Sequence, residues 1–342
     1  MRPLTEDPEM TGRNRTLWVL VGLFLVLVVL SQLTGKRRNA TTEGGGIVPL
    51  ITGLDTAEIG SIRAWLGSSP DSVLEVRRSG DGWEVSSRWN WPAKQTQVDQ
   101  FMNSLNDLRG EIRSSTEDIL ADYDLDEESG LHVVAMGLGG TERFHVIAGK
   151  TASRGGSFTR LADSPAVYLV RASLRSTFGI WGDSPEAPDA KRWVDLSIHK
   201  ADRNEVDQVV LQGDDRIVLT KVLPAPAGPD SVVDRSSWTW KADAHGGFDK
   251  AAADGIVGSL CSLYAQNVAD PAGIDRYGLG EGSRIATLTM ADGTTREIRF
   301  GAETEDGQSC YMRVGPDGNP ATLHKGTADR LFPDRESLTP KE

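Results

Sequence analysis

The chain repeats itself, and that feature limits its folds more than any other. A helical pattern that puts Val98, Phe101, Met102, Leu105 and Leu108 on one face returns as Ala253, Ile256, Val257, Leu260 and Leu263 at a constant offset. Downstream, LADYDLDEES (Leu120 to Ser129) aligns with IDRYGLGEGS (Ile274 to Ser283), pairing Tyr123 with Tyr277 and Leu125 with Leu279. A hairpin follows each. Leu131 to Leu138, Gly139-Gly140 and Phe144 to Ile147 match Ile285 to Met290, Asp292-Gly293 and Arg296 to Phe300. Gly-Gly and Asp-Gly predict two-residue turns in which both central residues have positive φ.

Each copy then offers a short strand, Phe158 to Leu161 or Cys310 to Val314, and a similar ending, Leu174 to Phe178 or Ala328 to Phe332. Ahead of the helix the strands are Ile59 to Leu66, Val73 to Arg77 and Trp83 to Ser87 in the first copy. In the second they are Val206 to Gln212, Arg216 to Leu219 and Trp238 to Ala242. A Pro-rich insertion at Leu223 to Asp234 belongs in a surface loop. The order is βββ-α-ββββ twice, an α+β fold with mainly antiparallel sheet, because hairpins join most strands. Trp83 and Trp238 are matched as sheet-packing residues.

The 342 residues allow about two such modules and one further segment. Thr16 to Gly35 reads TLWVLVGLFLVLVVLSQLTG without a charge. At about 1.5 Å per residue, roughly 20 residues cross a hydrocarbon layer of about 30 Å. A cleaved signal peptide competes with this reading, but no small-x-small site follows and Lys36-Arg37-Arg38 comes at once, so an uncleaved anchor is expected. Arg2, Arg13 and Arg15 balance the three basic residues beyond the span. The short tail and long following chain favour a cytoplasmic N-terminus and an extracytoplasmic bulk.

The predicted plan is α+β: a cytoplasmic tail (1–15), a transmembrane helix (16–35), a flexible tether (36–46), repeat module 1 (47–181), an acidic Pro-containing linker (182–190), repeat module 2 (191–333) and a C-terminal tail (334–342). Each module carries one amphipathic helix. Overall, 37 basic against 49 acidic residues give a net charge of −12. Such a balance disfavours nucleic-acid binding, which draws on clustered Lys and Arg.

Sites of chemistry are scarce. Gly149-Lys150-Thr151 lacks the first glycine of a phosphate loop, since Phe144 stands there, and Gly278-x-Gly280-x-Gly282 precedes a strand where a dinucleotide fingerprint would follow one. No metalloprotease pair or serine nucleophile elbow occurs. His132 and His145 sit on neighbouring strands, but two imidazoles without a third ligand make a poor metal site. The acids from Asp122 to Glu128 lack the order of a calcium loop and read as a solvated turn. Cys261 and Cys310, whose counterparts in the first copy are Asn106 and Phe158, form either a disulfide or two separate thiols. Trp89 and Trp91, bracketing Asn90 before Pro92, have no core period. They are the candidate partner-binding residues, as an exposed aromatic pair that would bind a protein or a sugar.

The span, the paired Trp-strand, the amphipathic helix, the Tyr-x-Leu motif and the Gly-turn hairpin resemble the bacterial domain-of-unknown-function family 4340, from about Thr16 to Pro333. That family's Tyr-Gly-Leu is usually followed by Asp and Pro. Here the second copy has Tyr277-Gly278-Leu279 and then Gly280, the first has Tyr123-Asp124-Leu125-Asp126, and neither has the Pro. The resemblance implies a membrane-anchored extracytoplasmic protein associated with gliding-motility-type ABC transport systems, and supplies no catalytic residues. The expected function is therefore a non-enzymatic accessory or scaffold protein of the cytoplasmic membrane, without cofactor or metal. Its expected partners are the bilayer, through residues 16–35, and permease or accessory subunits of the transporter. Binding of a cell-envelope glycan is the alternative, and a hydrolase comes behind both.

Overall fold

The computed structural model describes residues 46–106, 108–152, 155–182, 186–225, 233–243 and 248–339. The expected tail, the span at 16–35, the tether up to 45 and the middle of the Pro-rich insertion lie outside them. Among the described residues no helix is long and apolar enough to cross a membrane.

Two antiparallel sheet bodies with a few helices make up the fold. The first contains β1 (Val48–Pro49), β2 (Ile59–Leu66), β3 (Leu74–Ser79), β4 (Gly82–Val85), β5 (Trp91–Pro92), helix α1 (Gln95–Asn106), β6 (Arg109–Ser114), β7 (Leu131–Gly137), β8 (Glu142–Thr151), β9 (Ser157–Leu161), β10 (Val167–Val170) and helix α2 (Leu174–Thr177). The second contains β11 (Ser197–Lys200), β12 (Val206–Gln212), β13 (Arg216–Val222), β14 (Thr239–Ala242), α3 (Lys250–Leu260), β15 (Ser262–Tyr264), β16 (Asn267–Val268), β17 (Arg284–Met290), β18 (Thr295–Glu303), β19 (Ser309–Val314), β20 (Ala321–His324) and α4 (Lys325–Leu331). Eight strands run in the same order in both. The first sheet reads β4-β3-β2-β7-β8-β9-β10-β6, with β5 and β1 added at its two edges, and the second reads β14-β13-β12-β17-β18-β19-β20-β16. A separate two-stranded ribbon joins β11 to β15.

The amphipathic helices form where the apolar period places them. Val98, Phe101, Leu105 and Leu108 are buried with α1, as are Ala253, Ile256, Val257, Leu260 and Leu263 with α3. Asp249 caps α3, its carboxylate accepting from the amides of Ala251 and Ala252. Each sheet is followed by a short helix, α2 or α4, and a strand follows each main helix. The expected order of four strands after the helix missed β6 because RGEIRS buries only Gly110 and so shows no apolar alternation.

The hairpin turns differ from the two-residue form expected. Gly137 N–H donates to Thr141 O (2.7 Å) and Gly140 N–H to Gly137 O (2.9 Å), a three-residue loop in which only the last glycine, Gly140 at φ 77°, is left-handed. Met290, Thr294 and Gly293 (φ 82°) repeat this arrangement. A type I turn closed by a left-handed glycine uses the same Gly signal with one residue more.

The Tyr-x-Leu loops close over one face of each sheet. Leu125 joins Ile147 and Val167 in a small second core, and Tyr277 and Leu279 join Ala269 in another. Tyr123 meets Phe158 at 4.3 Å between centroids, and Tyr277 stacks on Tyr311 at 3.9 Å. The loop lies so close that a Cβ at Gly149 would collide with the carbonyl oxygen of Tyr123, and one at Gly301 with that of Tyr277. Gly149 therefore serves packing. Asp124 (φ 54°) and Gly278 (φ 63°), the middle residues of the two motifs, share the left-handed conformation.

Strand register corrects two pairings. Arg78 faces Trp83 across β3 and β4, and Lys221 faces Trp240 across β13 and β14, so the counterpart of Trp83 is Trp240, not Trp238. Thr151 faces Ser157 where Glu303 faces Cys310, so Cys310 corresponds to Ser157 and Phe158 to Tyr311. Both cysteines are buried free thiols, without the disulfide that one reading allowed.

Module boundaries also move. Trp193, placed in the second module by the sequence, is buried against Phe178 (5.1 Å) and Phe101 (5.7 Å) of the first. The expected C-terminal tail is docked: Leu338 is buried and its carbonyl accepts from Asp249 N–H at 2.7 Å. One apolar side chain in a polar segment gives no period to read.

Gly149→Ala and Gly301→Ala are each expected to destabilise by about 1–3 kcal/mol through overpacking, whereas Gly139→Ala, with open space around its Cβ position, should stay within about 0.5 kcal/mol. Thermal melting of the three variants checks this, and equal melting temperatures would contradict the packing role.

Candidate functional site

The segment between the modules is bonded to both. Lys94 N–H donates to Trp193 O (2.7 Å) and Asp195 N–H to Pro92 O (2.8 Å), while Ala265 N–H donates to Leu196 O (2.8 Å). Asp195 thus belongs to the first sheet and Leu196 to the second ribbon. Most of the buried apolar residues of both sheets form one continuous cluster, apart from the small cores under the Tyr-x-Leu loops.

A cleft of about 330 Å³ opens at this junction, with Trp91, Pro92 and Asp195 on one side and Met312, Arg313 and Asn319 on the other. Trp91 is only 7% exposed and its indole N–H donates to Asp195 O at 2.9 Å. Trp89 is 39% exposed and, like Asn90, has positive φ, 54° and 58°. For a bulky residue that conformation is strained. The expected exposed pair is corrected by this geometry: the left-handed Trp89 and Asn90 break the extended run before Trp91, so that Trp89 is left in solvent while Trp91, at the start of β5, packs into the junction.

Arg313 shows what the duplication changed. Its counterpart by register, Arg160, is buried and fully engaged: Nε to Leu125 O (2.7 Å), Nη1 to Leu161 O and Ala162 O, and Nη2 to Glu127 Oε1 (2.7 Å). Arg160 ties the Tyr-x-Leu loop to the sheet. Arg313 instead has a buried Nε without a hydrogen-bond partner, and it lines the cleft. An unpaired buried donor costs about 1–3 kcal/mol. Nothing in the motif pattern marks Arg313; only comparison of the two copies after register is known does so.

His132 and His145 do meet. His132 Nδ1 and His145 Nε2 are 3.0 Å apart, and His132 Nε2 lies 3.0 Å from Glu127 O. A carbonyl only accepts, so neutral His132 carries its proton on Nε2 and its Nδ1 accepts from His145 Nε2–H. The lone pair of His132 Nδ1 is turned toward a neighbour's proton. Trp65, opposite His132 across β2 and β7, stacks on it at 5.0 Å and 8°. Sequence reasoning passed over Trp65, since its place beside His132 follows only from a non-local strand pairing. The two thiols are poor nucleophiles: burial pushes Cys261 up to about 11 and also raises Cys310.

The sequence model of the domain of unknown function DUF4340 matches residues 83–231 and 238–335, most of the chain. The chain belongs to this family. No curated protein and no solved structure matches it. In this DUF4340 member the matched stretches include the Trp-strands, both main helices and both Tyr-x-Leu loops.

Two histidines carry a pH dependence. Burial, then the charge of His132, lowers the pKa of His145, and burial lowers that of His199, whose Nδ1–H donates to Leu260 O (2.6 Å). The unfolded chain, titrating near 6.5, binds protons that the native state refuses. Their stabilisation is complete above about pH 6.5 and declines as pH falls through 6.5 toward the lower native values. Melting temperature is expected to drop between about pH 7.5 and 5.5, and His145→Gln and His199→Gln should each flatten that slope. Unchanged slopes in both variants would remove the histidines as its source.

Proposed function

We propose that the protein is a non-enzymatic scaffold, anchored in the cytoplasmic membrane by a transmembrane helix at 16–35, that presents two tandem repeats of one α+β module outside the cytoplasm to subunits of an ABC-type transport system. The observation that carries the reading is the bonded junction. It makes of two sheets a single body with a cleft, which suits holding a partner more than turning over a substrate. Support comes also from the chemistry: the described histidines bond to each other and to backbone, and the thiols are buried and raised in pKa. The resemblance of DUF4340 chains to transporter-associated envelope proteins adds the partner class. Polymer binding through Trp89 and Trp91 has less support, because Trp91 is buried and its indole N–H is engaged.

A photo-crosslinking residue at Asn319, exposed beside the cleft, is expected to capture a permease or accessory subunit in cells, whereas one at the exposed turn residue Asp81 is not. Recovery of no transporter subunit from either position, after detergent extraction and mass spectrometry, would count decisively against the scaffold. A C-terminal alkaline phosphatase fusion should be active; an inactive fusion that is made in full would reverse the orientation.

A further inference from the structure

We propose that the first module binds a neutral saccharide in the cavity lined by Asp124, Lys150, Ser173, Arg175 and Trp181, a site separate from the junction cleft. The cavity measures about 740 Å³. Trp181 in its lining is 63% exposed, a large ring left in water. Arg175 is only 8% exposed, its Nη1 donates to Asp124 Oδ2 at 3.0 Å, and its buried Nε has no partner. A nearly buried guanidinium in a cavity wall that leaves one enclosed donor without a partner costs stability.

The second module builds the same eight-strand order without these groups. Gly278 takes the left-handed position of Asp124, Ala302 follows Gly301 where Lys150 follows Gly149, and the alignment of Phe178 with Phe332 puts Asp329 at the place of Arg175. Asp329 there pairs with Arg284, a different arrangement. The fold therefore requires neither the Asp124–Arg175 pair nor the strain of an aspartate at φ 54°. Residues that one copy carries against the preference of the backbone, and the other does without, point to a ligand.

Charge selects its class. Asp124 and Glu128 offset Lys150 and Arg175 around the cavity, which leaves no excess to draw a phosphate or a metal ion. Carboxylates that accept, cations that donate and a serine hydroxyl that does both suit the vicinal hydroxyls of a pyranose. Its C–H face fits against the indole of Trp181.

Calorimetric titration of the full-length chain, in a sugar-free detergent, tests this with tetrasaccharides of glucose, mannose, galactose and N-acetylglucosamine and with tetragalacturonate. At least one neutral tetrasaccharide is expected to bind, with affinity falling tenfold or more, about 1.4 kcal/mol, in Trp181→Ala and about threefold in Lys150→Ala, and holding in Trp89→Ala. Both variants alter exposed side chains, so the fold should persist. The proposal is overturned by no neutral sugar binding at about 10 mM, by wild-type affinity in Trp181→Ala, or by tighter binding of tetragalacturonate than of every neutral sugar. Partner capture at the junction reads out separately and is unaffected by either result.

Discussion

Asp195 and Leu196 are successive residues whose backbones are bonded to different sheets, and the arrangement of the whole molecule follows from that stitch. Trp193 stands just before it, sandwiched with Phe101 and Phe178. Removing so large a ring from water contributes roughly 4–6 kcal/mol as an upper bound. The linker is thus fixed at its end, and two modules that a flexible connection would leave independent share one apolar cluster. Trp91 reinforces the joint from the other side, because its indole N–H needs an acceptor once buried and finds it in the carbonyl of Asp195. The cleft lies beside this line of backbone bonds, with Trp91, Pro92 and Asp195 facing Met312, Arg313 and Asn319 across it.

Much of this is legible in the amino-acid sequence. Apolar residues at helical spacing marked α1 and α3, and all of them are buried except the half-buried Met102, because a helix face is a local property. The order of the central strands was readable for the same reason, through alternation and Gly turns. Elements lacking a period were lost: β6 buries one glycine, and the docked end of the chain has Leu338 as its buried apolar side chain, with Arg335 Nη2 donating to Arg216 O. Pairings went wrong where a two-residue slip leaves the pattern unchanged, as between Trp238 and Trp240, since strand register is decided by partners distant in sequence. The candidate site suffered most. Trp89 and Trp91 look equivalent in the chain, yet a pair of left-handed residues separates them, one into solvent and one into the joint.

Duplication gives a control that a single domain lacks. Where both copies keep a residue type in one environment, as with Gly149 and Gly301 under a tyrosine carbonyl, the sheet and its covering loop need it. Where the copies differ, the fold has been relieved of a constraint in one of them. Arg160 spends its donors tying down the Tyr-x-Leu loop, whereas Arg313 on the equivalent strand position lines the cleft with its Nε unpaired, and the second loop is held by the stack of Tyr277 on Tyr311 and by Arg299 Nη1, which donates to Gly280 O. In the first copy the reverse holds at the middle of the motif. An aspartate sits where a glycine is sufficient, held by an arginine whose other copy is an acid. Buried groups left unpaired and backbones left strained cost stability, and each copy carries such costs in a different place. The two modules therefore share a scaffold and have separate surfaces to offer.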